Sequence, residues 1–318
     1  MEYNYLTEAL ANYDIDKSDV EFIRHNENMT YRVGKQYLLQ IHEPLEGFST
    51  GYLYEKYDRT EIRKSEIVFQ QHLKKQGMQI REVIENRSGQ PMTRLKCGTC
   101  VTVSKWIPGE SLDNFKLDDT LCIQIGQLIG RLHRYAAGFS VSPSIVYDQQ
   151  HCHAAKTRIQ CLQSIGLDPA YSEIMQMACD IVGARLHKVR NEYVMLHGDL
   201  SPSNILKTDE GLVAIDFSFL GMGHPMYDLA VMFGNVGGVR RRQKIAEGYR
   251  AAGGTIRYEI LDACYVLANL DFIGIHYDQC RKQDWYETRM KQWYQEIYTP
   301  FVNGHRLFAN DFVLIHSI

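Results

Sequence analysis

Residues 193–228 read YVMLHGDLSPSNILKTDEGLVAIDFSFLGMGHPMYD, and two short apolar runs inside this stretch decide how it folds. Ile205-Leu206-Lys207 and Leu212-Val213-Ala214-Ile215 flank Thr208-Asp209-Glu210-Gly211, a polar turn signal that ends in glycine. Paired as an antiparallel hairpin, the two runs bring their open ends together. Asn204 directly precedes the first run and Asp216 directly follows the second, so an amide and a carboxylate meet at one edge. Asp199 lies five residues before Asn204, in a His197-Gly198-Asp199 turn that can carry it over the same edge. Three oxygen-bearing side chains then converge on one small volume. Hard cations such as Mg²⁺ take oxygen ligands, and often bind through one or two carboxylates plus substrate phosphates. Phosphoryl transfer asks a protein mainly to position groups and neutralise charge. Asp–x4–Asn followed by a second Asp supplies those parts: one base to orient a hydroxyl and two ligands for a metal.

Upstream, the first hundred residues are strand-rich. Val20–His25, Met29–Val33 and Tyr37–His42 are apolar stretches separated by polar or glycine-containing turns, and Pro91–Cys97 with Thr99–Lys105 form two further candidates. A helix is predicted over Glu61–Gln76. Ile107-Pro108-Gly109 then breaks the pattern and marks a candidate hinge. Beyond it, Leu121, Ile125, Leu128, Ile129 and Leu132 recur at helical spacing, so Asp118–Tyr135 reads as an amphipathic helix. Further helices are expected near Pro169–Lys188, Tyr227–Val236, Arg240–Ala252, Tyr258–Tyr277 and Trp285–Tyr298. This layout predicts an α+β protein of two lobes, a small β-rich one over residues 1–105 and a larger, mainly helical one over residues 106–318. Clefts between domains are common ligand sites, which makes the junction a candidate for nucleotide binding.

Composition narrows the function class. The chain has 318 residues, 45% of them hydrophobic and 23% charged, with a net charge of -3. Such a balance gives no support for a nucleic-acid or membrane-surface partner, either of which normally brings a basic excess. No apolar run approaches the roughly 20 residues that span a bilayer, and the first residues lack the pattern of a secretion signal. The eight cysteines are scattered along the chain rather than set out as a framework, which suits reduced thiols in the cytoplasm.

His197-Gly198-Asp199-Leu200-Ser201-Pro202-Ser203-Asn204, followed by Ile215-Asp216-Phe217-Ser218, resembles the signature of the aminoglycoside phosphotransferase and choline kinase family. The likeness extends to Gly223-His224-Pro225 and Asp228-Leu229-Ala230, and upstream to the Leu128–His133 helix, to Trp106–Gly109 and to the Glu27–Val33 hairpin, so it spans roughly residues 20 to 235. The resemblance implies a protein-kinase-like fold and transfer of the γ-phosphate of ATP to a hydroxyl of a small molecule. Aminoglycoside-like antibiotics, amino alcohols, homoserine and sugars are all open as acceptors. It further implies Asp199 as catalytic base, Asn204 and Asp216 as Mg²⁺ ligands, and Asp228 as a brace for the catalytic loop. Asn28, Gln40, Glu66, Ser104, Lys105 and Trp106 fall at nucleotide-binding positions.

One departure stands out. The third strand of such a lobe usually carries a basic residue against the nucleotide phosphates, whereas this chain has Gln40 there, with Glu66 as its expected partner. A glutamine donates a hydrogen bond but brings no charge, and charge-assisted bonds are about twice as strong. Either another cation (Lys35, Arg32 or Lys64) reaches the phosphates, or the chain is a nucleotide-binding relative without turnover. Only eleven residues separate Asp216 from Asp228, without an Ala-Pro-Glu, which leaves no room for the long activation segment of regulated protein kinases, although an atypical Ser/Thr kinase stays an alternative. Choice between ATP and GTP is open too. Asp271 and Asp278 are seven residues apart on a predicted helix, and as an acidic pair they would suit a cationic acceptor. Cys97–Cys100 with His151-Cys152-His153 could suggest zinc, but the spacing reads better as a strand turn that contains cysteines.

Overall fold

The computed structural model describes residues 5–46, 51–54 and 56–308. The chain divides into two compact units: Met1–Thr50 with Asp58–Gly109, and Gly51–Tyr57 with Glu110–Ile318.

The first unit contains α1 (Tyr5–Ala11), β1 (Val20–His25), β2 (Met29–Val33), β3 (Tyr37–Ile41), α2 (Arg59–Lys75), β4 (Val83–Ile84), β5 (Thr93–Arg94) and β6 (Cys100–Lys105). Its antiparallel sheet runs in the order β1-β2-β3-β6-β4, with β5 also paired to β6. Alternation along the strands separates two faces. Val33, Leu39, Ile41, Val101 and Val103 point to one side, where they bury Ala9, Leu10 and Tyr13 of the α1 region. Thr30, Gln40 and Thr102 are register partners on the opposite, polar side. The expected strand Pro91–Cys97 shortens to two residues, because Leu95 N–H bonds to Thr99 O and Gly98 turns the chain with a φ of +97°. Asp58 caps α2 by accepting from Thr60 and Glu61 amides, which starts the helix two residues ahead of the expected Glu61.

The second unit opens with β7 (Glu110–Ser111) and continues through α3 (Asp119–Ala136), β8 (Ile145–Val146), α4 (Gln149–Leu162), α5 (Pro169–Lys188), β9 (Val194–Leu196), β10 (Ile205–Thr208), β11 (Gly211–Ala214) and β12 (Gly221–Gly223). Then follow α6 (Met226–Asn235), α7 (Val239–Ala251), α8 (Tyr258–Cys280), α9 (Tyr286–Trp293), a π-helical turn over Tyr294–Tyr298 and α10 (Thr299–Val302). Two small sheets, β11-β10-β7 and β8-β12-β9, lie among these helices. The helices α3 and α7 touch backbone to backbone: a Cβ on Gly126 would lie 1.9 Å from Ile245 O, and one on Gly248 would lie 2.0 Å from Ile123 O. Only glycine permits that approach from either side. The turn at Gly51–Tyr54 belongs to this unit through Tyr52, whose hydroxyl donates to Asp271, and Tyr54, which donates to Ser218 O.

Candidate functional site

The hairpin forms with the register Ile205↔Ala214, Leu206↔Val213, Lys207↔Leu212 and Thr208↔Gly211. One step beyond its open end, Ile215 N–H donates to Asn204 O at 2.9 Å. Asn204 and Asp216 are thereby fixed side by side on neighbouring chains. Asn204 also reaches Asp199: its Nδ2 donates to Asp199 O at 2.8 Å and to Asp199 Oδ2 at 2.9 Å. With the amide nitrogen turned onto Asp199, the side-chain oxygen of Asn204 is directed elsewhere, as a metal ligand requires. Asp216 has a φ of +65°, the single non-glycine residue in the left-handed region among the described residues. Asp tolerates that region better than most residues, and strain held at one position often accompanies a functional site.

Asp228 holds the loop before Asp199. It is fully buried on α6 and accepts three hydrogen bonds, from His197 N (3.0 Å) and His133 Nε2 (3.0 Å) to Oδ2 and from Gly198 N (2.9 Å) to Oδ1. Burial works against its charge, but the His133 hydrogen bond, the neighbouring histidines and the Gly198 amide outweigh it and keep the carboxyl below its usual range. His133 is positioned in turn by Tyr249, whose hydroxyl lies 3.1 Å from Nδ1. Gly198 has a φ of +84°, and a Cβ there would lie 2.0 Å from Phe219 O and 2.6 Å from the Tyr147 hydroxyl, so no other residue fits. His197 donates from Nε2 to Ile215 O at 3.0 Å and accepts at Nδ1 from Asp199 N at 3.3 Å, which ties Asp199 to the strand end that carries Asp216. Burial lowers its pKa, so the ring acts as a neutral strut. The resemblance implies Asp228 as a brace; its contact with His133 joins residues 95 positions apart, which the sequence alone does not bring together. Tyr147, which donates to Phe219 O at 2.7 Å beside Gly198, was missed, for a lone tyrosine carries no motif.

Among the nucleotide-position residues of the first unit, Gln40 and Ser104 lie on the polar side of its sheet, whereas Lys105 alternates to the side of Val103. Asn28 is buried, and its Oδ1 lies 2.7 Å from Nδ1 of His42, whose Nε2 lies 3.1 Å from Thr102 Oγ1. Gln40 stands between Thr30 and Thr102 in register. Glu66 accepts from Arg63, one turn earlier on α2, and from Gln70 Nε2 at 3.0 Å. Ser104 is buried opposite Leu38, while Lys105 reaches out to Glu82 at 3.1 Å. Trp106 lies under the Arg32 guanidinium, 4.8 Å from its ring centre. Of the cations that the sequence offered for the phosphates, Lys35 is exposed and Lys64 bonds to Glu61 at 2.6 Å on the solvent side.

The acidic pair of α8 does not form a pocket. Asp271 is buried and takes hydrogen bonds from Tyr52, from Tyr227 at 2.7 Å and from His151 Nε2 at 2.9 Å. Asp278, two turns on, is exposed and pairs with Arg281 at 3.3 Å. The shared helical face predicted from their spacing runs from the interior out to the solvent before it reaches Asp278. His151 and His153 lie on α4, the former buried against Asp271 and the latter exposed, and Cys97 lies in the β5–β6 turn of the other unit.

A model of the APH phosphotransferase enzyme family matches residues 19–264. The amicoumacin kinase of Bacillus subtilis (strain 168) is 22% identical over 244 residues, which cover 74% of this chain and 68% of that protein. Among solved structures, the amicoumacin kinase hAmiN, in complex with AMP-PNP, Ca²⁺ and Ami, superposes with a TM-score of 0.74 at 15% identity, over 93% of this chain and 94% of that one. A microcompartment-associated aminopropanol kinase gives a TM-score of 0.71 at 18% identity, over 93% and 96% of the two chains.

Proposed function

The chain belongs to the phosphotransferase enzyme family, and from that premise we propose that it moves the γ-phosphate of ATP to a hydroxyl of a small molecule in the cytoplasm. The observation that carries this reading is the Asn204–Asp199 hydrogen bond of 2.9 Å at the open end of the hairpin that delivers Asp216. Asp199 is the catalytic base. Its carboxylate, oriented by Asn204 and by the loop clamped on Asp228, accepts a hydrogen bond from the acceptor hydroxyl and aims its oxygen at the phosphorus. Asn204 and Asp216 would hold Mg²⁺, and an amide oxygen beside a carboxylate is the hard donor set that this ion takes, with nucleotide phosphates completing its shell. When bound, the ion neutralises charge on the phosphate oxygens. Asn28, Gln40, Glu66, Ser104 and Lys105, within residues 1–105, and Trp106 directly after them serve the nucleotide; the rest of residues 106–318 serves catalysis and the acceptor.

Acceptors are sought among aminoglycoside-like antibiotics, amino alcohols, homoserine and sugars. The relatives above are named for amicoumacin and for aminopropanol, and the second, an amino alcohol by its name, puts that class first in the panel. The cytoplasmic placement draws on eight free cysteines, which suit a reducing compartment, and no helix among the described residues is long and apolar enough to cross a membrane. The test is ATP turnover with Mg²⁺ across this panel, beside an Asp199→Ala control. Turnover stimulated by one compound and abolished in the control is expected. Compound-dependent turnover that survives Asp199→Ala would remove Asp199 from the role of base. A second reading, nucleotide binding without transfer, is motivated by the neutral Gln40 and predicts ATP binding with no turnover on any acceptor.

A further inference from the structure

On the polar side of the first unit's sheet Arg32 lies over Trp106, one register step from Gln40, and the row at Gln40 itself carries no charge. Thr30, Gln40 and Thr102 form one row in register, and Asn28 and His42 continue it toward the β1–β2 turn. None of these side chains is a fixed cation, and His42 is kept neutral by its removal from water and by the charge of Arg63 nearby. Neutral donors alone give about half the strength of charge-assisted ones against phosphate oxygens.

α2 lies over this side of the sheet: Thr60 Oγ1 is 3.6 Å from Sγ of Cys100, the residue that faces the same way as Thr102 on β6. One turn further along, Arg63 comes next to the row. Its Nη1 donates to Glu66, and its Nη2 lies 3.6 Å from Oε1 of Glu27 in the β1–β2 turn, beside Asn28. The Arg63 side chain is only 14% exposed and that of Glu66 8%. A cation tied to a carboxylate on the same helix, three residues on, is pre-positioned. Its planar fork of five donors suits phosphate oxygens two at a time.

We propose that Arg63 is the phosphate-binding cation of the nucleotide site, acting from α2 in place of the charge that Gln40 does not bring, with Glu66 and Glu27 holding its guanidinium in position. The proposal rests on the kinase reading above. Arg63 meets the outer phosphates, so its loss discriminates between nucleotides by the length of their phosphate chain.

The experiment is titration calorimetry of ATP, ADP and AMP with Mg²⁺ on the full chain, comparing the wild type with Arg63→Met, Arg63→Lys and the double variant Arg63→Met/Gln40→Lys. Arg63→Met is expected to weaken ATP and ADP about tenfold to a hundredfold, the scale of a lost charge-assisted contact, while AMP binding stays within about twofold. Retained AMP binding shows that the variant is folded. Arg63→Lys should fall between the two, and the lysine at position 40 should restore ATP affinity in the double variant. Unchanged ATP affinity in Arg63→Met, or an equal loss for AMP and ATP, overturns the assignment. A wild type that binds no nucleotide overturns the kinase reading and this assignment with it, so the two failures are told apart.

Discussion

Replacing Asp228 with Asn tests the clamp on the loop that carries Asp199, the proposed base. The carboxylate receives three donors, two at Oδ2 (His197 N and His133 Nε2) and one at Oδ1 (Gly198 N). An amide offers one oxygen, so its best orientation keeps the two donors at the Oδ2 position and turns NH₂ toward the Gly198 N–H. That leaves a buried donor unmet, which costs about 1–3 kcal/mol, and the two surviving bonds lose their charge assistance, about 1 kcal/mol each. Relief from burying a charge offsets part of the sum. The net loss is about 2–4 kcal/mol, a large share of the ~5–15 kcal/mol that separates most folded proteins from unfolded ones. Gly198 directly precedes Asp199, and a displacement of ~1 Å at a reacting group costs about a hundredfold in rate, so kcat should fall about 10- to 100-fold with KM for ATP little changed. Because its carboxyl is held below the ordinary value of about 3.9, the stabilisation is fully present above that value and is lost as pH falls through the depressed one. The gap between wild type and variant should therefore close in acid. Urea unfolding followed by circular dichroism at neutral and acid pH, with steady-state kinetics at neutral pH, measures both effects. An unchanged urea midpoint together with an unchanged kcat would refute the clamp.

Two other outcomes follow from the geometry. Gly198→Ala places a methyl group 2.0 Å from Phe219 O in a backbone with a φ of +84°, so the loop must shift; kcat should drop at least about tenfold with ATP binding retained, and calorimetry beside a rate assay reads both. Asp262 is buried on α8, and burial raises its pKa to about 6 in spite of the Phe308 amide and Arg306. Its contribution to stability is fully present below the unfolded value near 3.9 and is lost as pH rises through about 6, so Asp262→Asn should stabilise the protein by about 1–3 kcal/mol at pH 7. A urea midpoint that does not rise in the variant would count against that charge being a burden.

What the sequence determined by itself was local. Short apolar stretches between polar turns marked β1, β2 and β3, and the Thr208–Gly211 turn forced Asn204 and Asp216 to the same end of one hairpin, since a hairpin's register follows from its turn. The amphipathic spacing around Leu128 marked α3, and Pro169 after the Asp168 cap opened α5 where expected. α4 escaped notice because polar and small residues dominate Gln149–Leu162 and blur the helical period. The tertiary structure decided which polar side chains share a volume. Asp271 looked available to a substrate from its spacing with Asp278, yet Tyr52, Tyr227 and His151 arrive from three distant segments and bury it. Arg63 carries no motif in the sequence, and its place beside Gln40's row follows only from α2 lying over the polar side of the sheet. Periodicity and turn chemistry depend on neighbours in the chain, whereas burial and charge pairing depend on neighbours in space. Only the packed fold brings the second kind together.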